Sequence, residues 1–368
     1  MDKHAHKMII AYCFARYEEA AGATIDWTDL IRSGVYELLR RIVISDIKST
    51  IYREIRKHSD VFEKLNNFAL SELEPIIASN EIKAEIKDFL FKDDNNDLTS
   101  RILSAAHICA SYWEFKIVKH ANPNSYQNVK IETELLNEIS RFNDLIGVRK
   151  YVSNQTICNF IDMCGQMRFQ VRWAQTPRVP KTSVLGHSML VASISYFFTR
   201  DLPNCEKRIY NNFFGGLFHD LPEAVTRDII SPVKRSSKEF DELLKQIEIT
   251  MAEEEIYPFL EPEWIEEIKY FTQDEFVNKV IVKHKVKSNK ISVDEISAKY
   301  NENKFSPMDG ELIRMADHLS AFLEAWSSCA SGIKSDELIQ SAQQIQENYK
   351  HKVIGGIPLM QIYSSFRF

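Results

Sequence analysis

Residues 215–234, GGLFHDLPEAVTRDIISPVK, deliver two adjacent polar side chains to the end of an apolar helical run. Phe213, Phe214, Leu217 and Phe218 supply the apolar face, and His219-Asp220 follows at once. Pro222 lacks an N–H and its ring clashes with the preceding turn, so a regular helix cannot continue past the pair. Glu223 and Asp228 come next, and Pro232 closes the segment. An imidazole and a carboxylate at the end of an apolar helix are costly to desolvate unless something binds them. A His-Asp dipeptide taken alone is most often a capped, solvated helix end, so its surroundings decide.

Those surroundings are helical on both sides. Upstream, the spacing predicts a helix starting near Ser183, with His187 at its start and Leu190, Val191, Ile194, Phe197 and Phe198 behind it. Before that, a helix through Ile161 is expected to end in Arg172-Trp173, followed by a loop containing Pro177 and Pro180. Downstream, a long charged helix reaches about Ile256, and 259–305 reads as irregular or broken helix. A helix is expected at about 310–328, ELIRMADHLSAFLEAW. Its apolar stripe is Ile313, Ala316, Ser320 and Leu323, and Asp317 sits within or beside it. A carboxylate pointing at a core needs a cation or hydrogen-bond donors; pairing with a nearby Arg is the bland alternative.

Only eleven Gly and eleven Pro punctuate 368 residues, and strand-like alternation is scarce, so the expected fold class is all-α. The length allows roughly two domains, with the boundary in the polar run NPNSYQN or near Asn154, giving 1–150 and 151–368. A net charge of −6 does not advertise nucleic acid or an anionic membrane as partner. No apolar run is long enough to span a bilayer, and the first twenty residues show no secretory h-region and cleavage site; a cytoplasmic location is expected. The six cysteines (Cys13, Cys109, Cys158, Cys164, Cys205, Cys329) are scattered without a CxxC pair, which argues against a disulfide framework or zinc knuckle.

His187, His219, Asp220 and Asp317 lie on three helix ends or faces that can converge. Two imidazoles and two carboxylates suit one divalent ion (Mn, Co, Mg, Fe or Zn) better than they suit the closed, sulfur-rich tetrahedron of structural zinc. Four protein ligands leave positions for water and a phosphate oxygen.

This order of His, then His-Asp, then a distant Asp resembles the HD-domain phosphohydrolases. RW, GHS, HDxxExxTxD, PVK and ADxLxAxLE, between about 160 and 330, resemble the bacterial 5′-deoxynucleotidase branch of that superfamily. The matching residues are Arg172, Trp173, His187, His219, Asp220, Glu223, Thr226, Asp228, Pro232, Val233, Lys234 and Asp317. The resemblance implies an HD-type helical bundle in which His187, His219, Asp220 and Asp317 hold one divalent ion. Asp220 and Glu223 would then carry the catalysis, with Glu223 handling the proton of the attacking water. It also implies that Arg172 clamps the phosphate, that Trp173 and Asp228 line the sugar, and that Lys234 adds a phosphate contact. The expected activity is release of phosphate from (deoxy)nucleoside monophosphates. Arg178 and Lys181 in the loop 174–186, and Arg227, depart from the branch and point toward a more highly phosphorylated substrate. A dNTP triphosphohydrolase is therefore one alternative; a nucleotide-sensing or interaction protein with little turnover is another.

The chain is nearly twice the length of those enzymes, and its front half resembles its back half. GVYELLRRIVISDIKSTI (34–51) aligns without a gap on GLFHDLPEAVTRDIISPV (216–233), placing Glu37, Leu38 and Arg41 on His219, Asp220 and Glu223. HAHKMIIAYCFARY around His6 resembles GHSMLVASISYFFTR around His187, and SAAHICASYWEF resembles RMADHLSAFLEA, with His107 near the Asp317 position. The expected architecture is a tandem of a degenerate N-terminal HD-like domain without metal ligands and an active C-terminal one. Either a homo-oligomer or a monomer with an internal pseudo-dimer would follow.

Overall fold

The computed structural model describes every residue except 46, 48, 93–96, 228–236, 289 and 367–368. The fold is all-α. The first nine helices are α1 (Asp2–Ala20), α2 (Trp27–Ile44), α3 (Ser49–Arg56), α4 (Ser59–Leu73), α5 (Asn80–Phe91), α6 (Leu98–Ala121), α7 (Asn128–Ser140), α8 (Ile146–Ser153) and α9 (Gln155–Gln166). They are followed by α10 (Val184–Arg200), α11 (Glu206–Phe218), α12 (Glu223–Thr226), α13 (Lys238–Met251), α14 (Pro262–Thr272), α15 (Gly310–Ala330), α16 (Asp336–Tyr349) and α17 (Leu359–Ser364). Two short antiparallel hairpins interrupt them, Val280–Val282 with Lys285–Lys287 and Val353–Ile354 with Ile357–Pro358. No helix among the described residues is long and apolar enough to cross a membrane.

The caps explain several boundaries. Asp26, Asp97, Asn154 and Ser183 each accept a hydrogen bond from a backbone N–H in the first turn of α2, α6, α9 and α10. Those N–H groups have no partner inside the helix, so each cap satisfies a donor that would otherwise need water. The polar run DDNND (93–97) separates α5 from α6 in the sequence, and all of it but Asp97 lies outside the described residues.

α1 is buried on almost every side from His4 through Ala15, its polar His4, His6 and Lys7 included. It packs on α6, α8, α9 and α10. Among the described residues the main core runs continuously from Ala5 to Tyr363, across the boundary regions read near 121–128 and Asn154, and a small second cluster joins Val280, Ile291 and Ile296. Tyr12 and Tyr210 both donate to Glu267 Oε2 at 2.8 Å, tying α1 and α11 to α14.

Three devices set the helices that matter for function. Arg208 on α11 grips Asp309, just before α15, through two 2.7 Å hydrogen bonds, and both side chains are fully buried. Asn212 adds a donor to the same carboxylate at 2.7 Å and accepts from Asp309 N at 2.8 Å. Removing one partner of such a pair leaves an uncompensated buried charge, at a cost of about 3–5 kcal/mol. Gly216 is the third device: a Cβ there would stand 3.0 Å from Ala192 Cα, so only Gly lets α11 lie this close to α10.

One helix end differs from expectation. The helix through Ile161 stops at Gln166, and a 3-10 turn, Met167–Phe169, follows. Arg172 and Trp173 stand on a loop instead. Trp173 has φ 56°, outside helical space, and Arg172 N donates to Thr182 O at 2.9 Å, where Val171 and Ser183 form an antiparallel bridge. The region 259–305 is more regular than expected, since it contains α14 and a hairpin.

Candidate metal centre

His187 lies one turn inside α10, His219 and Asp220 directly follow α11, and Asp317 lies two turns inside α15. Folding brings these three elements to one point. Ligand atoms of His187, His219 and Asp220 all lie within 4.8 Å of one another. Asp317 Oδ1 is 3.0 Å from His187 Nε2, and Asp220 reaches His219 Nε2 at 3.2 Å and His187 Nε2 at 3.8 Å.

The ring orientations can be assigned from their neighbours. His219 Nδ1 lies 2.9 Å from Gly216 O, a pure acceptor, so Nδ1 carries the hydrogen and Nε2 faces the cluster. His187 Nδ1 meets Ser320 Oγ at 2.9 Å with Glu324 Oε1 3.7 Å away, which again turns Nε2 inward. Orienting a ligand imidazole through its second nitrogen is how metal sites hold their histidines. His187 Nε2, His219 Nε2 and Asp220 Oδ2 are buried and make no well-aligned hydrogen bond, although carboxylate oxygens stand 3.0–3.8 Å from both imidazoles. Buried polar atoms are seldom left so, and a shared cation would satisfy all three at once. The residues therefore fit a divalent ion with mixed N/O ligands and open coordination positions.

The electrostatics agree. Burial opposes a charge on His219, but the carboxylates of Asp220 and Asp317 outweigh it and hold its pKa up at about 9. Burial likewise opposes ionisation of Asp220, yet His219, His187 and Arg172 bring it down to about 2. Asp317 is driven well below the usual carboxylate range, against burial, chiefly by His187. Without metal, a proton on His219 takes over part of the cation's role at neutral pH. An entering ion must displace that proton, so metal affinity should rise by about tenfold per pH unit up to about pH 9 and then level off. Calorimetric titration in buffers of different ionisation enthalpy should register about one proton released per ion at pH 7.

Glu324 organises the flank of the site. It is 4% exposed and accepts from Trp173 Nε1 at 2.7 Å and Thr182 Oγ1 at 2.8 Å, with Arg172 Nε at 3.5 Å. Burial resists its charge, but Arg172 and His187 hold its pKa well below the usual range. Arg172 Nη1 also stands 3.7 Å from Asp220 Oδ2, which places a guanidinium beside the ligand cluster. Sequence reasoning assigned Glu324 no role, although a signal was present: seven residues from Asp317, it lies on the same face of α15 two turns later.

Glu223 opens α12, one turn past Asp220, and is 8% exposed; Gln170 Nε2 donates to its carbonyl at 2.9 Å. Asp228 and Lys234 lie outside the described residues. Arg178, read from sequence as an extra cation for a longer phosphate chain, is 6% exposed and turned inward, donating to Thr182 Oγ1 and, at 3.4 Å, to the Glu324 carbonyl. Lys181 and Arg227 are exposed.

Residues 164–346, which contain all of these side chains, match the family model for the HD domain. No curated protein matches the chain significantly.

Proposed function

We propose, from the HD domain at residues 164–346, that this chain is a metal-dependent phosphohydrolase whose substrate is a (deoxy)nucleoside 5′-monophosphate. HD domains are typically metal-dependent hydrolases of phosphate esters. The observation that carries the reading is the cluster of buried ligand atoms on His187, His219 and Asp220, none in a well-aligned hydrogen bond, with the Arg172 guanidinium 3.7 Å from Asp220. It offers a phosphate both a metal position and a charge-assisted donor in one place.

His187, His219, Asp220 and Asp317 would hold the ion, which when bound neutralises phosphate charge and makes water a stronger nucleophile. Arg172 binds a non-bridging phosphate oxygen, with Glu324 keeping its guanidinium in position. Glu223 takes a proton from the attacking water. The new P–O bond forms as the ester P–O bond breaks, and the proton goes to the departing 5′-oxygen. Trp173 forms the sugar side, its indole N–H already committed to Glu324. Asp228 and Lys234 keep the roles that the resemblance implies, as sugar and phosphate contacts.

Arg178 favours a monophosphate over a triphosphate, because its guanidinium is occupied by Thr182 and the Glu324 carbonyl. The N-terminal half is read as the degenerate copy, making the chain an internal pseudo-dimer. In support, α1 packs on α10 and α2 on α11, the helices that the internal alignment pairs. Purified protein incubated with Mn, Co or Mg and nucleoside mono-, di- and triphosphates tests the reading. Orthophosphate from monophosphates supports it; triphosphate release from dNTPs would favour the triphosphohydrolase, and tight binding without turnover the sensor.

A further inference from the structure

The N-terminal half buries a polar cluster at the corner where α1, α2 and α6 meet. Lys7 on α1 is 1% exposed and donates its Nζ to Glu37 Oε2 on α2. Arg41 Nε stands 3.6 Å from the other oxygen of Glu37. His4 hydrogen-bonds Gly34 O at 2.7 Å through Nε2, and His107 on α6 lies within electrostatic reach of Glu37 and Lys7. Burial, with Lys7 nearby, lowers the pKa of His4 to about 3, and burial likewise lowers that of His107. Both imidazoles are thus neutral beside the pair formed by the buried Lys7 and the half-buried Glu37.

This corner occupies the place that the internal alignment gives to the metal centre. Glu37 stands on the position of His219, Arg41 on Glu223 and His107 on Asp317. The same pairing sets Glu114 on Glu324, and Glu114 holds Arg168 at 2.9 Å and Lys3 at 3.1 Å, much as Glu324 holds Arg172. The counterpart of His187 is where the copies part. His6 turns to Ile161 O at 2.9 Å and packs edge-on against Trp113, while its neighbour Lys7 enters the corner. Metal ligands in the C-terminal half leave buried atoms without a well-aligned hydrogen bond, whereas no atom of Lys7 or Glu37 is left so.

We propose that the Lys7 ammonium stands in the N-terminal half where a divalent ion would stand in the C-terminal half. The α1–α2–α6 corner is then a built-in cation site that takes up no metal. The inference rests on reading the front half as a copy. Lys7 supplies the positive charge that Glu37 needs, and Leu38, in the place of Asp220, removes a ligand a metal would require. Because the cation is covalently attached, this corner holds its helices together at any metal concentration.

The test uses the full-length chain and needs no phosphatase activity. Metal analysis of wild type should give about one ion per chain, and Asp220→Ala about none, because the front corner contributes no ion. Lys7→Ala should lower Tm by roughly 5 °C or more, since the half-buried Glu37 carboxylate loses its buried cation and keeps only the more exposed Arg41. Ethylammonium chloride, whose ammonium can fill the vacated space, should restore part of that loss, and sodium chloride at equal ionic strength should not. Should Lys7→Ala fail to fold, Lys7→Met compared with Lys7→Met/Glu37→Gln decides instead, and the double variant should be the more stable. Two ions per wild-type chain, no loss of Tm in Lys7→Ala, loss without rescue by ethylammonium, or no benefit from adding Glu37→Gln would each overturn it.

Discussion

Asp220→Ala should remove the bound ion and the phosphatase activity together. Asp220 supplies a ligand oxygen, and its carboxylate also faces both ligand imidazoles and Arg172. Its loss takes away a ligand and lowers the pKa of His219, since Asp220 makes the largest of the contributions that oppose burial there. The stabilisation that metal confers should be lost as well. An ion that binds only the folded chain stabilises it by about 2.7 kcal/mol at a concentration one hundred times its Kd. Wild type should therefore gain several degrees of Tm on adding Mn or Co, while Asp220→Ala should gain none. Elemental analysis and thermal melts with and without chelator provide the check, and a variant with full metal content would refute the ligand assignment.

Glu223→Gln should retain metal and lose turnover. The side chain keeps its shape at the start of α12, so the neighbouring His219-Asp220 turn has no reason to rearrange. An amide cannot take the proton of the attacking water or return it to the leaving oxygen. The expected loss in kcat is about 10²-fold or more, with KM little changed. Arg172→Ala should differ in kind, raising KM as well, because a phosphate clamp acts in both the ground and transition states. A Glu223→Gln enzyme with unchanged kcat would remove Glu223 from the mechanism.

Much of this molecule is legible locally. Few Gly and Pro, together with 3.6-residue periodicity, specify helices because backbone freedom and hydrogen bonding are settled within a turn or two of chain. The His-Asp pair before Pro222, His187 beside the Ser183 cap and Asp317 on its stripe stood out because each is a polar group on an otherwise apolar surface. The structure brings their side chains to one point.

Partnership was not legible. Successive residues on a helix differ by about 100° in direction, so His6 and Lys7, adjacent in sequence, meet Trp113 and Glu37 respectively. Only the packing of α1 against its neighbours decides which of them enters the corner. Arg172-Trp173 looked like a helix end because apolar spacing persists past Gln166; the bridge between Val171 and Ser183 and the pull of Glu324 put both on a loop. Arg178 looked available for phosphate until Thr182 and the Glu324 carbonyl took it up. Sequence by itself determined the helices, their buried faces and the polar residues out of place on them. The tertiary structure decided what those residues touch, because a charge or ring takes its partner from whichever element packs across from it, often more than a hundred residues away.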